Sequence, residues 1–265
     1  MSNKHGDLTG PLQGRLDIHI KRALFVLPFL ISVPVVWEKI TNPWNFWQFV
    51  QEDGPVEWAT ALMYLFAAPI AGFLAIRFRN QGLALHAFLI GGLGLLMFFV
   101  GMEEISWGQR VLGIETPASF VKVNHQEETN LHNIISHSAV QLGFIVVAIY
   151  GSIASFVMPG LLKPFFGSRA KGLAALVSPP NFLKSYFLLT LAVQMLFVAS
   201  PMLEAIFGPQ WGFTHTPDKS YFLIGRDREI VEFLTALGFF LFLCWLFVLE
   251  RWGEWEGDRP AVDHA

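Results

Sequence analysis

The chain has 265 residues, of which 53% are hydrophobic, 26 are Phe and only 15% are charged. Soluble domains carry about 25% charged residues, so this composition excludes an ordinary soluble globular protein and indicates a polytopic membrane protein. The net charge of −3 provides no basic surface of the kind that binds nucleic acid, so that class of partner is excluded as well.

Six apolar segments follow one another along the chain. A helix needs about 20 largely apolar residues to cross the hydrocarbon core, and the segments that approach this length are 22–38, 56–76, 83–102, 134–158, 182–203 and 230–249. They predict an all-α fold, a polytopic bundle of about six transmembrane helices within residues 21–250. The flanking residues 1–20 and 251–265 are polar and are predicted to be cytoplasmic tails.

The distribution of basic residues predicts the orientation. With a cytoplasmic N-terminus, the inner segments hold most of the 18 Lys and Arg residues, namely Lys4, Arg15, Lys21, Arg22, Arg77, Arg79, Lys163, Arg169, Lys171, Lys184, Arg251 and Arg259. This bias satisfies the positive-inside rule. We therefore expect both termini to be cytoplasmic and the segment between the third and fourth helices to be extracytoplasmic.

That segment is strongly polar. It contains Glu103-Glu104-Ile105-Ser106-Trp107-Gly108-Gln109-Arg110 and, further on, Glu128-Thr129-Asn130-Leu131-His132-Asn133. Ionisable groups at membrane depth are costly unless they are paired, bound to metal or facing a wet cavity, so by default they indicate a functional site.

Two glutamates elsewhere are predicted to join this layer. Glu57 opens the second helix and Glu232 opens the sixth, both on the extracytoplasmic side. Each is followed three residues later by a threonine, Thr60 and Thr235, and this spacing places the two polar groups on one helix face. Helix chemistry is the alternative, because a carboxylate in the first turn offsets the helix macrodipole.

One interpretation of the polar segment is a divalent metal site. Glu128 and His132 are four residues apart, so on a helix they share a face and can bind the same ion, with Glu104 as the opposing ligand. Such ligands suit zinc, and additional carboxylates suit manganese or iron. Glu103 would then act as acid or base, and Arg110 would hold an anionic substrate. Residues that would support or add to the ligands are Glu57, Glu232, His137 and Asn133.

Two other interpretations need no metal. In the first, adjacent carboxyl groups such as Glu103 and Glu104 divide the acid and base roles, one holding a proton while the other accepts one. In the second, the segment is structural: Arg110 neutralises Glu103, and asparagines fix a re-entrant loop within the bundle, where irregular backbone is tolerated. The concentration of Glu and His in one segment favours chemistry.

The same motifs resemble those of a group of bacterial polytopic membrane proteins of uncharacterised activity. The resemblance rests on Glu-Glu-Ile-Ser-Trp-Gly-Gln-Arg, Glu-Thr-Pro at 115–117, Glu-Thr-Asn-Leu-His-Asn, and Glu-Asp-Gly-Pro-Val-Glu-Trp at 52–58, and it spans residues 52–137. It implies a location in the bacterial inner membrane and a single functional unit, and it implies no reaction.

Together these features predict an integral membrane enzyme, a metal-dependent hydrolase or transferase that acts on a lipid or lipid-linked substrate at headgroup depth. No phosphate loop or dinucleotide fingerprint occurs in the sequence, so no nucleotide cofactor is expected. The alternatives are a cation- or proton-coupled carrier, which needs acids throughout the membrane depth, and an accessory or assembly subunit whose polar layer binds a partner chain. The sequence does not predict the oligomeric state.

Overall fold

The computed structural model describes residues 9–122, 124, 128–131, 134–216, 218 and 220–251, with the backbone alone for residues 9–16 and for Arg110. Its α-helices are α1 (Thr9–Thr41), α2 (Pro43–Val50), α3 (Pro55–Asn80), α4 (Ala84–Glu104), α5 (Gln109–Leu112), α6 (Ala118–Val121), α7 (His137–Phe166), α8 (Ala170–Val177), α9 (Lys184–Phe207) and α10 (Asp227–Arg251). Short 3-10 helices span Ser106–Gly108, Gly167–Arg169, Asn181–Leu183 and Pro209–Trp211. Two-residue strands β1 (Phe213–Thr214) and β2 (Leu223–Ile224) pair in parallel.

The helices form a bundle of the kind found in membranes. Within the described ranges, five stretches are long and apolar enough to cross a bilayer: Asp17–Thr41, Pro43–Asn80, Ala84–Glu104, His137–Phe207 and Asp227–Arg251. The fourth stretch contains two long helices, α7 and α9, so each apolar segment of the sequence corresponds to a long helix. The predicted all-α bundle is confirmed at this level.

Two helices are longer than the apolar pattern predicts. α1 begins at Thr9, within the segment interpreted as a polar tail, and α7 continues to Phe166 through Pro159 and Pro164. Proline removes one backbone donor and kinks a helix. In apolar surroundings every further unpaired backbone group is costly, so a kinked helix is favoured over a broken one.

Small residues let the long helices approach closely. α3 packs against α4 and α10, and α9 packs against α7 and α10. A Cβ atom at Gly94 of α4 would lie 2.9 Å from the Cβ of Ala71, and a Cβ at Gly151 of α7 would lie 2.2 Å from the ring of Phe187. Close backbone contact between helices is the packing that glycine and alanine permit in membranes.

The bundle has one end at which α3 and α10 begin and α4 ends, and we call it the acidic end because Glu57, Glu104 and Glu232 lie there. At the opposite end, Arg77 Nε of α3 donates a 3.0 Å hydrogen bond to Glu250 of α10, whose residue exposure is 7%. Between the two ends, buried apolar side chains fill the space around α3 and α10: Ala67, Ala71, Leu74, Phe242, Leu243 and Leu246.

Candidate functional site

A cavity of about 370 Å³ lies at the acidic end. Its walls come from α2, α3, α4, α7, α9, α10 and the loop between α9 and α10, and its ionisable lining residues are Glu52, Glu57, Glu104, Glu229, Glu232, Arg226, Arg228, His137 and His215. The volume is within the range of small-molecule sites, about 300–1,000 Å³. His137 and His215 are exposed, so the cavity reaches the protein surface beside them.

Three helices bring glutamates from distant parts of the chain to this cavity. Glu57 lies in the first turn of α3, which Pro55 opens, and Glu104 is the last residue of α4. Glu232 lies in the second turn of α10. Because α3 and α10 begin at the end where α4 terminates, the three carboxyl groups meet in one layer.

The threonines of the two Glu/Thr pairs adopt the same local arrangement. Thr60 Oγ1 donates to the Val56 carbonyl at 2.9 Å, and Thr235 Oγ1 donates to the Val231 carbonyl at 2.8 Å. Both threonines are 1% exposed. The repeated sequence pattern therefore corresponds to two parallel helix starts that present their glutamates to one cavity.

The three carboxyl groups differ in the hydrogen bonds that they accept. Glu57 Oε2 accepts a 2.5 Å hydrogen bond from the Asp53 amide. From the described part of the chain, Glu104 and Glu232 accept no hydrogen bond. The charges that act most strongly on Glu104 are carboxylates, chiefly Glu229 and Glu57. Glu104 therefore lies among groups of its own charge.

Two arginines supply positive charge on one side of the cavity. Arg226 forms ion pairs with Glu52 and, at 2.9 Å, with Glu229. Burial lowers the pKa of the Arg226 guanidinium, but these two carboxylates more than offset that effect and the pKa is raised overall. The Arg228 guanidinium lies 4.3 Å from the centroid of the Phe197 ring, and its buried Nε has no hydrogen-bond partner in the described part of the chain.

The lining carries an excess of negative charge. Among the described lining residues there are five glutamates and two arginines, so with neutral histidines the carboxylates exceed the guanidinium groups by three. Charges in a partly desolvated site are stable only when they are compensated. A proton, a cation or the positive group of a ligand must provide that compensation.

Gln194 of α9 is a further polar group of the lining. It is 0% exposed, and neither its amide nitrogen nor its amide oxygen has a hydrogen-bond partner among the described residues. One turn earlier, Thr190 Oγ1 bonds to Thr235 Oγ1 at 2.9 Å and to the Val231 carbonyl at 3.1 Å. Because a buried amide without a partner costs about 1–3 kcal/mol, Gln194 offers a donor and an acceptor that a ligand or water in the cavity could satisfy.

Glu103 precedes Glu104 but has different surroundings. Its Oε1 accepts from Trp107 Nε1 at 2.6 Å and its Oε2 accepts from the Leu131 amide at 2.6 Å. Adjacent residues on a helix point about 100° apart. Glu104 therefore lines the cavity, while Glu103 attaches the connector between α4 and α7 to the end of α4.

The rest of the connector network is buried and closely bonded. Ser106 Oγ donates to Glu128 Oε2 at 2.5 Å, and Asn130 Nδ2 donates to the same oxygen at 2.6 Å. Asn124 Nδ2 in turn donates to the Asn130 side chain at 2.8 Å. Ser106 and Trp107 have φ angles of 47° and 57°, in the left-handed region that non-glycine residues rarely adopt. The hydrogen bonds hold this strained turn in place.

The sequence-predicted site residues thus fall into groups. Glu57, Glu104, Glu232 and His137 line the cavity, whereas Glu103 and Glu128 belong to the connector network. The remaining three, namely the Arg110 side chain, His132 and Asn133, lie outside the described residues. Within the described ranges, no three His, Cys, Asp or Glu side chains are arranged to hold a metal ion.

Sequence reasoning missed several lining residues. Glu229 lies three residues before Glu232, a spacing that places both on one helix face. Gln194 is a lone amide within an apolar helix, and such a residue carries a cost in lipid unless it has a role. Both signals were present in the sequence. Glu52 lies in the turn between α2 and α3, and Arg226 and Arg228 lie beside the first residue of α10, so their contribution to the cavity depends on how these connections fold.

The chain matches no family model, and neither a curated protein nor a solved structure shows significant similarity to it. The site is therefore interpreted from its own geometry.

Proposed function

We propose that the protein is an integral membrane enzyme, a hydrolase or transferase that acts on a lipid or lipid-linked substrate with the carboxyl groups of Glu57, Glu104 and Glu232. The observation that carries this proposal is the position of Glu104 and Glu232. They come from different helices, line one cavity of small-molecule size, and accept no hydrogen bond from the described part of the chain. Carboxyl groups committed to structure are normally paired.

The charge excess supports acid–base catalysis. Carboxyl groups that share a desolvated site cannot all be ionised without compensation, and one retained proton makes its carboxyl group an acid beside an ionised base. The ionised group takes a proton from water as the water oxygen attacks a carbonyl carbon or a phosphorus of the substrate. The protonated group then gives its proton to the leaving oxygen. In a transferase, an acceptor hydroxyl takes the place of the water.

The location of the substrate follows from a proposed topology of six crossings. With both termini cytoplasmic, the acidic end faces the extracytoplasmic side, as the positive-inside rule favours. The end that would be cytoplasmic carries Arg77, Arg79, Lys163, Arg169, Lys171 and Lys184. A cavity at headgroup depth is within reach of an amphiphile that remains in the outer leaflet.

A metal-dependent form of the reaction uses the ion to make a nucleophile from bound water. Zinc, manganese or iron would then be held by Glu104 and His132, with Glu57 or Glu232. Glu128 is a poorer ligand than the sequence predicts, because its Oε2 already accepts hydrogen bonds from Ser106 and Asn130. We therefore favour acid–base chemistry by the lining carboxyl groups.

The packing below the cavity disfavours the carrier alternative. Buried apolar side chains of α3, α4 and α10 occupy the bundle between the acidic end and the Arg77–Glu250 pair. A carrier for protons or cations needs polar groups along the whole depth. The cavity is better suited to a ligand that binds and leaves on one side.

The experiment is a turnover assay on the purified full chain in nanodiscs of mixed lipids, with water-soluble products identified by mass spectrometry. Glu104→Gln and Glu232→Gln should each lower turnover by about 100-fold, which is the lower end of the range for groups that act as general acid or base. Glu204→Gln is the matched control, because Glu204 is exposed near the same end of the bundle. Full activity in both cavity variants, or no turnover of any lipid by wild type, would contradict the proposal.

A further inference from the structure

We infer that the cavity binds an ammonium group, so that the substrate is a lipid or lipid-linked molecule that carries an amine. The inference deepens the proposed function, because it names the class of substrate for the same site. It is also testable without turnover, since an ammonium group should bind whether or not a reaction follows.

The charge of the lining is the first argument. Carboxylates exceed guanidinium groups by three among the described lining residues. Arg226 pairs with Glu52 and Glu229, and Arg228 lies over the Phe197 ring and acts on Glu232, so the carboxylate on which neither arginine acts is Glu104. The uncompensated side of the cavity is therefore negative. An ammonium group there would donate hydrogen bonds to the carboxylates of Glu104 and Glu232. Such charge-assisted hydrogen bonds are stronger than neutral ones.

Gln194 is a second and independent argument. Its buried amide oxygen accepts from no donor of the described residues, and Gln194 is 0% exposed and lines the cavity. An ammonium group has up to three N–H donors, so it can bond to this oxygen as well as to two carboxylates. A ligand of that chemistry would donate to the Gln194 amide oxygen, which the described residues leave without a hydrogen bond.

Size and aromatic lining favour an organic cation over a bare ion. Trp47 and Phe144 contribute to the walls, and an aromatic face attracts an ammonium group by about 0.5–2 kcal/mol. The cavity volume of about 370 Å³ is far larger than a metal ion requires.

The test compares two ligands of similar size that differ in charge. Ethanolamine and ethylene glycol are titrated by calorimetry into the detergent-solubilised full chain. Ethanolamine should bind and ethylene glycol should not. Glu232→Gln and Gln194→Met should each weaken ethanolamine binding by about 10-fold, the loss expected for one hydrogen bond to a charged group. Gln48→Met, on the exposed face of α2, should bind like wild type.

Nanodiscs separate a lipid headgroup from a free amine as the source. If the lipid amine is the ligand, phosphatidylethanolamine nanodiscs should abolish the binding of added ethanolamine, because the lipid headgroup already occupies the cavity. Phosphatidylglycerol nanodiscs should leave ethanolamine binding unchanged. If both leave it unchanged while ethanolamine still binds, the source is a soluble amine. In either case the ammonium site stands.

The outcomes also separate this inference from the proposed function. Ethanolamine binding without turnover of any lipid supports the ammonium site and contradicts the enzyme. Turnover of lipids without amines, with no binding of ethanolamine, supports the enzyme and contradicts the ammonium site. A stoichiometric metal ion that is lost in Glu104→Gln would also contradict it, because the metal would then compensate the charge. If a variant fails to fold, the comparison of ethanolamine with ethylene glycol on the wild-type protein still tests whether the cavity binds an ammonium group.

Discussion

Ser106 Oγ and Glu128 Oε2 are 2.5 Å apart, although 22 residues separate them in the chain. The hydrogen bond closes the connector between α4 and α7 over a turn in which two consecutive non-glycine residues have positive φ. Such backbone persists only where the surroundings over-determine it. The polar segment that the sequence singles out is therefore divided between a structural network and, through Glu104, the lining of the cavity.

Replacing Glu128 by Ala should destabilise the protein. The change leaves the buried Ser106 hydroxyl and Asn130 amide without their shared acceptor, a loss of about 1–3 kcal/mol. The measurement is the free energy of unfolding in SDS, followed by circular dichroism. Glu115→Ala is the control, because Glu115 is exposed in the same connector. Equal stability of the two variants would show that the network does not hold the connector.

The contact between α7 and α9 predicts opposite effects for two glycines of the same helix. Gly151→Ala should lower the free energy of unfolding, because the new Cβ would lie 2.2 Å from the Phe187 ring and overpacking costs about 1–3 kcal/mol. In Gly143→Ala, no atom of the described residues lies within 4 Å of the new Cβ, so the change should be neutral or stabilising by up to about 1 kcal/mol. Equal effects in SDS unfolding would mean that the helices are not packed this closely.

The Arg77–Glu250 pair should couple α3 to α10 at the end opposite the cavity. Arg77 Nη2 and Glu250 Oε1 are 2.9 Å apart, and the side chains are 51% and 5% exposed. A double-mutant cycle with Arg77→Ala and Glu250→Ala should give a coupling energy of about 1–3 kcal/mol. This value lies between the coupling energies of exposed salt bridges and those of buried salt bridges. The corresponding cycle with the exposed Arg79 should give no coupling with Glu250. Coupling near zero for both arginines would contradict the Arg77–Glu250 pairing of the two helices.

The proposed orientation can be tested with single cysteines. Cys244 is the only cysteine of the sequence, so a Cys244→Ser background leaves one introduced site at a time. Ser119→Cys, in the α4–α7 connector, should react in intact cells with a membrane-impermeant maleimide. Ser168→Cys, between α7 and α8, should react only after the cells are opened. The reverse pattern would place the acidic end in the cytoplasm.

The helices were predictable because apolar length determines them. Six segments of the sequence match long helices, since a backbone surrounded by lipid must satisfy its own hydrogen bonds. The meeting of Glu57 and Glu232 was also predictable, because both open helices on the same side and share the Glu/Thr spacing. Neither inference requires knowledge of side-chain contacts.

The division of the polar segment was not predictable. Glu103 and Glu104 are adjacent, and the sequence does not specify which of them faces the interior of the cavity. The Ser106–Glu128 pairing depends on the path of a connector that lacks apolar periodicity, so no pattern indicates it. The role of Gln194 depends on which face of α9 meets α10. These are tertiary relationships, and local sequence carries little information about them.

The most direct test of an acid–base site is modification of the purified protein with a hydrophobic carbodiimide, which adds to protonated carboxyl groups in apolar surroundings. We expect peptide mass spectrometry to find the adduct on Glu104, Glu232 or Glu57. Glu204 and Glu115 should remain unmodified, because their side chains are exposed and do not lie in apolar surroundings. An adduct on these exposed glutamates alone, with none in the cavity, would contradict the account.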